Sequence, residues 1–131
     1  MATRIREKAK KRQEQKDQRP YAVARYIRMS PSKVRIVLDN VRGKSATEAV
    51  AILENSPQSA AQVCLKLLNS AIANGENNKG LNKQDLYVAE CYATPGPTLK
   101  RILIRARGRA DRMLKRSCHI TIILDQKAKE V

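Results

Sequence analysis

LKRILIRARGRADRMLKRS, residues Leu99 to Ser117, is the stretch on which the fold turns. It carries eight basic residues (Lys100, Arg101, Arg105, Arg107, Arg109, Arg112, Lys115 and Arg116) and one acid, Asp111, so it holds +7 of the chain's formal +15. A solid run of like charge would read as a disordered tail. Here the charges are interleaved with Leu99, Ile102, Leu103, Ile104, Met113 and Leu114, the pattern of an ordered element that holds its cations at fixed spacing. Gly108 sits at the middle, and glycine tolerates the positive φ of a tight turn. Two shapes fit. Arg, Ala, Met, Leu and Lys are good helix formers, so Arg109 to Cys118 reads as an exposed basic helix. Symmetry about Gly108, the Thr94-Pro-Gly-Pro97 entry and an apolar strand on each side favour a hairpin. Periodicity alone does not decide between them.

The flanking strands are Asp85 to Ala93 (DLYVAECYA), with Leu86, Val88 and Tyr92 on one face and Tyr87, Ala89 and Cys91 on the other, and His119 to Asp125 (HITIILD), with Ile120, Ile122 and Leu124 on one face. Folded about Gly108, they form the base of the hairpin. Each basic arm beyond them, at about ten residues and about 3.3 Å per residue, reaches about 33 Å. A body of about 100 residues has a radius of gyration near 13 Å, so the hairpin projects. An isolated ribbon is marginal in water, and its tip is expected to be mobile until a partner holds it.

Upstream, Tyr21 to Met29 reads as a strand with Tyr21, Val23, Ile27 and Met29 on one face. Ser30-Pro31 opens a helix whose Val34, Val37, Leu38 and Val41 form one stripe, and Gly43 ends it. Ser45-Ala-Thr-Glu48 has capping-box spacing and starts a second helix. Ser56-Pro57 repeats the cap-plus-proline signal before a third, apolar on most sides, which Gly75 is expected to stop. Glu76 to Gln84 reads as a polar loop, and QKAKEV at the end as a polar tail. Residues 1–19 carry eight basic and three acidic residues and read as a basic flexible arm, disordered or weakly helical, that orders on a polyanion rather than serving as a solvated tail. Residues 20–131 read as one α+β domain, including the extended hairpin 94–118.

The chain has 27 Lys+Arg against 12 Asp+Glu. Such an excess costs self-repulsion unless a polyanion neutralises it, and nucleic acid, which releases counterions on binding, is the first candidate. Charges on both faces of a ribbon suit burial in folded RNA better than one duplex groove. Four tyrosines and no Phe or Trp argue against a single-strand reader built on aromatic platforms. No apolar run reaches a membrane span, and the N-terminus has no signal-peptide core. Cys64, Cys91 and Cys118 are expected to be small buried hydrophobes of a reducing compartment. His119 is alone, and no nucleophile pair, phosphate loop, paired carboxylates or metal cluster is present. The expectation is no enzyme, no cofactor, no metal and no small-molecule substrate. Asp111 is expected to pair with a neighbouring arginine.

RARGRADRMLKRSCHITIIL resembles the C-terminal signature of the large-subunit ribosomal protein family L-twenty-two, in its bacterial or organellar form. SPSKVRIVLDNVRGK is similar to the family's first helix, SAIANGENN to the end of its long helix, and GPTLKRI to its hairpin entry. The resemblance runs from about Tyr21 to Asp125. It implies three helices packed on a small three-stranded antiparallel sheet, with a long protruding basic β-hairpin along the wall of the nascent-polypeptide exit tunnel. It further implies binding to large-subunit ribosomal RNA, neighbouring ribosomal proteins and a nascent polypeptide near the hairpin tip, a part in subunit assembly, and a place near the macrolide site. Carried over by motif, the segment facing RNA and tunnel is Leu99 to Arg116, with its tip at Arg107, Gly108 and Arg109. Arg28, Ser30, Lys33, Arg35, Arg42 and Lys44 are the body's RNA-facing candidates. Nothing carries over to residues 1–19. The reading is a structural ribosomal protein of the cytoplasmic ribosome, an organellar one being equally compatible. The alternative is a basic membrane-surface or regulatory RNA-binding protein outside the ribosome.

Overall fold

The computed structural model describes residues 2–15 and 17–126. The polar tail, but for Gln126, lies outside them. In chain order the elements are α1 (Ala2–Glu14), β1 (Tyr21–Ile27), α2 (Pro31–Val41), α3 (Ala46–Asn55), α4 (Ser59–Lys79), β2 (Leu86–Pro95), β3 (Leu99–Ile104), β4 (Ala110–Lys115) and β5 (Cys118–Gln126). β1, β5 and β2 form an antiparallel sheet in that order, and β3 and β4 form a separate two-stranded ribbon. The fold class is α+β, with α2, α3 and α4 on one face of the sheet. α1 is a fourth helix, where the sequence predicts an arm.

Local signals set the helix ends. Pro31 is the first residue of α2, and its stripe Val34, Val37, Leu38 and Val41 is buried. Gly43, just past α2, takes φ +76°. Ser45 and Glu48 cap α3 reciprocally. Two expectations fail. Ser56 does not start α4; its hydroxyl donates back to the Ile52 carbonyl and closes α3, and α4 begins at Ser59. Gly75 does not stop α4. The helix runs on to Lys79, through half of the expected polar loop, and ends at Gly80 in the left-handed conformation. Gly75 is buried, and a Cβ there would lie 3.2 Å from Leu86 Cδ1 and 3.6 Å from Pro20. It is a close-packing glycine, which sequence cannot tell from a stop.

The sheet also corrects two faces. On β1 the core side carries Ala22 and Ala24, while Tyr21 and Val23 face solvent. Small residues let α4 pack close, whereas apolar count alone favours the opposite assignment. β1 ends at Ile27, with Tyr26 at φ +57° and an irregular register between Ala24 and Ile27. On β2 a bulge between Val88 and Glu90 reverses the alternation. Leu86 and Val88 are buried before it and Cys91 and Ala93 after it, so Tyr92 is exposed. β5 behaves as expected, with Cys118, Ile120, Ile122 and Leu124 fully buried.

The core is aliphatic. Leu38, Leu53, Leu68, Leu86, Ile120, Ile122 and Leu124 are its largest enclosed side chains, each worth about 1.5–3 kcal/mol of apolar transfer. All three cysteines are buried and free. Burial pushes the Cys64 thiol from 9.0 up to about 12, with smaller contributions from Cys91 and Cys118. The open edge of β2 is covered. Val88 exchanges backbone hydrogen bonds with the loop after α2, accepting from Gly43 N and donating to Lys44 O. Arg42 donates to the Cys91 carbonyl, and Arg35 donates twice to that of Ala93.

Candidate nucleic-acid interface

The basic stretch is a hairpin. The β3–β4 register runs from Leu99 opposite Lys115 to Ile104 opposite Ala110. Arg107 and Gly108 both take positive φ, +57° and +71°, and Arg109 N donates to Ala106 O across them at 3.3 Å. This is the geometry of the primed turns, whose twist matches that of the paired strands. Arg105 N donating to Arg109 O at 2.7 Å closes the loop below. The tip lies where the sequence places it.

Every residue from Leu99 to Arg116 is exposed. One face of the ribbon carries Leu99, Arg101, Leu103, Asp111, Met113 and Lys115, the other Lys100, Ile102, Ile104, Ala110, Arg112 and Leu114. Both faces are therefore mixed basic and apolar. Asp111 pairs with Arg105, Nε to Oδ2, at 3.0 Å, as expected.

The ribbon joins the body through a tight seam. Gly96 N donates to Ser117 O at 2.9 Å, and the Ser117 hydroxyl donates to Pro97 O. Arg28 reaches across to the Lys115 carbonyl at 3.2 Å. Between the two paired stretches, three residues (Gly96 to Thr98) face two (Arg116 and Ser117), which separates ribbon from sheet.

At that seam the candidates converge. Arg28, Ser30 and Lys33 line a cleft of about 470 Å³ together with Lys115 and Arg116 of the ribbon. Met29, Leu114, Ser59 and Ala60 complete it, so the first turns of α2 and α4 both open into it. Neither helix has a side-chain cap: Ser30 instead bonds Ser32, and Gln58 makes no cap bond. Their first backbone N–H groups and the positive ends of their dipoles are available to an anion. Four cations line the cleft and no carboxylate does.

The remaining body candidates lie elsewhere. Arg35 and Arg42 use their guanidiniums on β2 carbonyls, and Arg42 also pairs with Asp39 at 2.8 Å. Lys44 lies beyond the far end of α2. Helix position does not reveal these structural bonds, because the β2 edge that accepts them is some 50 residues distant in sequence.

Two features escape the sequence reading. α1 is exposed from Thr3 to Glu14 and places Arg4, Lys8, Lys11 and Arg12 at i, i+4, i+7 and i+8, one cationic stripe, with Glu7 and Glu14 off it. Helical spacing of the basic residues was the available signal. Secondly, Tyr21, Tyr26 and Tyr92 stand exposed on the outer side of the sheet. Tyr26 N donates to His119 Nδ1 at 3.0 Å, and the two rings meet edge to face at 4.9 Å. His119 thus holds the β1 bulge.

Among the described residues no group of His, Cys, Asp and Glu is placed to hold a metal. No helix there is long and apolar enough to cross a membrane.

The family described as ribosomal protein L22p/L17e matches residues 22–125. A protein of Acetivibrio thermocellus named large ribosomal subunit protein uL22 is 57% identical over 107 residues, covering 82% of this chain and 86% of its own. The protein of that name from Clostridium novyi is 55% identical over 107 residues, covering 82% and 96%. That of a Thermotoga strain is 53% identical over 109 residues, covering 83% and 69%. α1 lies ahead of the family match.

Proposed function

The chain belongs to the ribosomal protein L22p/L17e family, and from that premise we propose that it is a structural, non-enzymatic protein of the large ribosomal subunit that binds the subunit's RNA through its ribbon and the cleft at the ribbon's root. The observation that carries this is the cleft: Arg28, Lys33, Lys115 and Arg116 around two uncapped helix starts, with no carboxylate among them. Arginine forks and helix N–H groups suit phosphate oxygens. Together they form a seat for a bent RNA backbone where ribbon leaves body.

In this reading the ribbon enters folded RNA. Lys100, Arg101, Arg105, Arg107, Arg109 and Arg112 neutralise phosphates on both sides, and the tip at Arg107, Gly108 and Arg109 lines the exit tunnel within reach of a nascent polypeptide. A reach of about 33 Å and full exposure of residues 99–116 support it. Bridging of RNA segments by ribbon and cleft is the basis for a part in assembly. Residues 1–19 add a peripheral phosphate contact through the stripe of α1. Arg35, Arg42 and Lys44 are secondary, the two arginines being engaged with β2. Among the described residues, no helix presents a free wide apolar face beside its cations as a membrane-surface anchor would: the stripe of α2 is buried in the core, and α1 has only Ile5 as a large aliphatic side chain.

Protein–RNA crosslinks mapped in intact large subunits test this. Crosslinks concentrated at Lys33, Lys115, Arg116 and the tip are expected. A ribbon without RNA crosslinks, its lysines open to a water-borne acylating reagent, would overturn the proposal.

A further inference from the structure

The chain has four tyrosines and neither Phe nor Trp. None of the four is in the core, which is wholly aliphatic but for cysteine sulfur. All stand on β1 and β2, on the side of the sheet away from the helices. Tyr21 is 49%, Tyr26 66% and Tyr92 45% exposed. Scarcity of aromatics argues against a single-strand reader when the sequence is taken alone; the fold reverses that expectation by gathering all four tyrosines on one face, where they contribute least to folding.

The face has a defined shape. Tyr21 lies opposite Ile123 of the central strand, and Val23 and Tyr92 lie on either side of Thr121. Thr121 is the low floor of a cleft of about 570 Å³, and Tyr21 and Tyr92 are its walls on opposite edges, with Arg25 on the rim. Two strand spacings and an offset of two residues along the strands put these walls about 12 Å apart. At one end the cleft runs to His119, which packs against Gly96 and the ribbon root; at the other it reaches Asp17, just after α1. The acid that lines it, Asp17, is already matched by Arg19, which also binds Glu90 at 2.9 Å. Arg25 makes no ion pair among the described residues.

We propose that this outer sheet face is a stacking platform for unpaired nucleotides of ribosomal RNA, Tyr21 and Tyr92 each taking one base and Arg25 a phosphate of the same strand on the ribbon-root side. The proposal rests on the RNA-binding reading above and names a second form of RNA, single-stranded, for a second surface. Aromatic faces on an antiparallel sheet bind splayed bases with little sequence preference. An aliphatic protein segment would be served as well by Leu or Ile, which this chain uses freely elsewhere. The flanking elements are cationic at both ends, the ribbon root on one side and α1 on the other. A strand crossing the platform therefore leaves it into positive potential in either direction.

With no Trp present, intrinsic fluorescence comes only from tyrosines of this side of the sheet. The full chain is titrated with a 12-nucleotide oligouridylate and, separately, with an RNA duplex of equal length, binding being followed by anisotropy of a dye on the RNA. Saturating oligouridylate is expected to quench tyrosine emission by about half, and the duplex to leave it nearly unchanged. The double variant Tyr21→Leu/Tyr92→Leu, folded by circular dichroism, is expected to bind oligouridylate at least tenfold more weakly, and Tyr21→Phe/Tyr92→Phe to bind it like the parent. Binding without quenching, or equal binding by the leucine variant, overturns the platform and leaves the RNA-binding reading standing. Failure to bind either RNA overturns that reading as well. Emission changed by a neighbouring ribosomal protein but not by oligouridylate makes the face a protein-docking site and also overturns the proposal.

Discussion

Replacing residues 97–116 by Asn-Gly, a two-residue turn suited to join Gly96 to Ser117, separates the two jobs of this chain. Gly96 and Ser117 are already hydrogen-bonded partners, so the short turn closes on existing geometry. The excision removes eight basic residues and one acid and lowers the formal charge from +15 to +8. It takes nothing from the core, because Leu99 to Arg116 are all exposed. Stability of the body is therefore expected to change by less than about 1 kcal/mol. RNA binding is expected to change in kind. Each neutralised phosphate contributes about 0.7 to 0.9 to the slope of log affinity against log salt, so loss of seven should flatten that slope by about 5 to 6. Over a fourfold rise in salt the parent should lose roughly a thousandfold more affinity than the variant. Titration of a large-subunit RNA fragment at several salt concentrations, with circular dichroism on the same samples, measures both. An unchanged slope would show that the ribbon does not neutralise phosphates. An unfolded body would show that the ribbon belongs to the core.

Two further outcomes follow from the packing. Gly96→Ala puts a Cβ 2.8 Å from Ser117 Oγ and 3.2 Å from His119 Nε2, and should cost about 1–3 kcal/mol in thermal unfolding by opening the seam; a variant as stable as the parent would remove the seam's role in aiming the ribbon. Burial raises the Cys64 thiol from 9.0 to about 12, so between those pH values the folded state keeps a proton that the unfolded chain has lost. Stability should fall there by about 1.4 kcal/mol per pH unit from this thiol, and Cys64→Ala should show a correspondingly shallower decline in urea unfolding between pH 9 and 11.

What could be read in advance was whatever neighbours in sequence decide. The Ser45–Glu48 box, Pro31 at the start of α2, the buried stripe of α2 and the inner face of β5 all depend on spacings of four residues or fewer. The hairpin was favoured over a basic helix by Gly108, the symmetry around it, the Thr94–Pro97 entry and the apolar strand on each side. The misreadings share the opposite cause. Gly75 lies mid-helix because Leu86 and Pro20 press on it. The inner face of β1 is alanine because α4 lies against it. The bulge between Val88 and Glu90 exchanges Tyr92 for Cys91 in the core without any local signal. Arg35 and Arg42 resemble surface cations until the β2 carbonyls they bind are in place. The cleft was half legible: its residues were named, but their meeting depends on the ribbon root lying beside α2.

The cross-strand pairing of the ribbon explains why such a structure needs both a seam and a partner. Leu99 faces Lys115, Lys100 faces Leu114, Arg101 faces Met113 and Ile102 faces Arg112. Four successive pairs set an aliphatic side chain against a cation. Stabilising pairs in sheets are aromatic, β-branched or oppositely charged, and these are none of them. The ribbon gains little from its own side chains and is held in register by the turn at Arg107-Gly108 and the bonds at Gly96 and Ser117. The same pairing sets a cation opposite the apolar residue in each of these four pairs, on both faces, which guards two open strand edges against self-association. Ile102 and Ile104, 76% and 81% exposed, keep their burial energy in reserve. Under the proposed function that energy is recovered when a surface presenting phosphates and base edges together closes around the ribbon, so the element would gain its fixed shape from RNA while the body sets its direction.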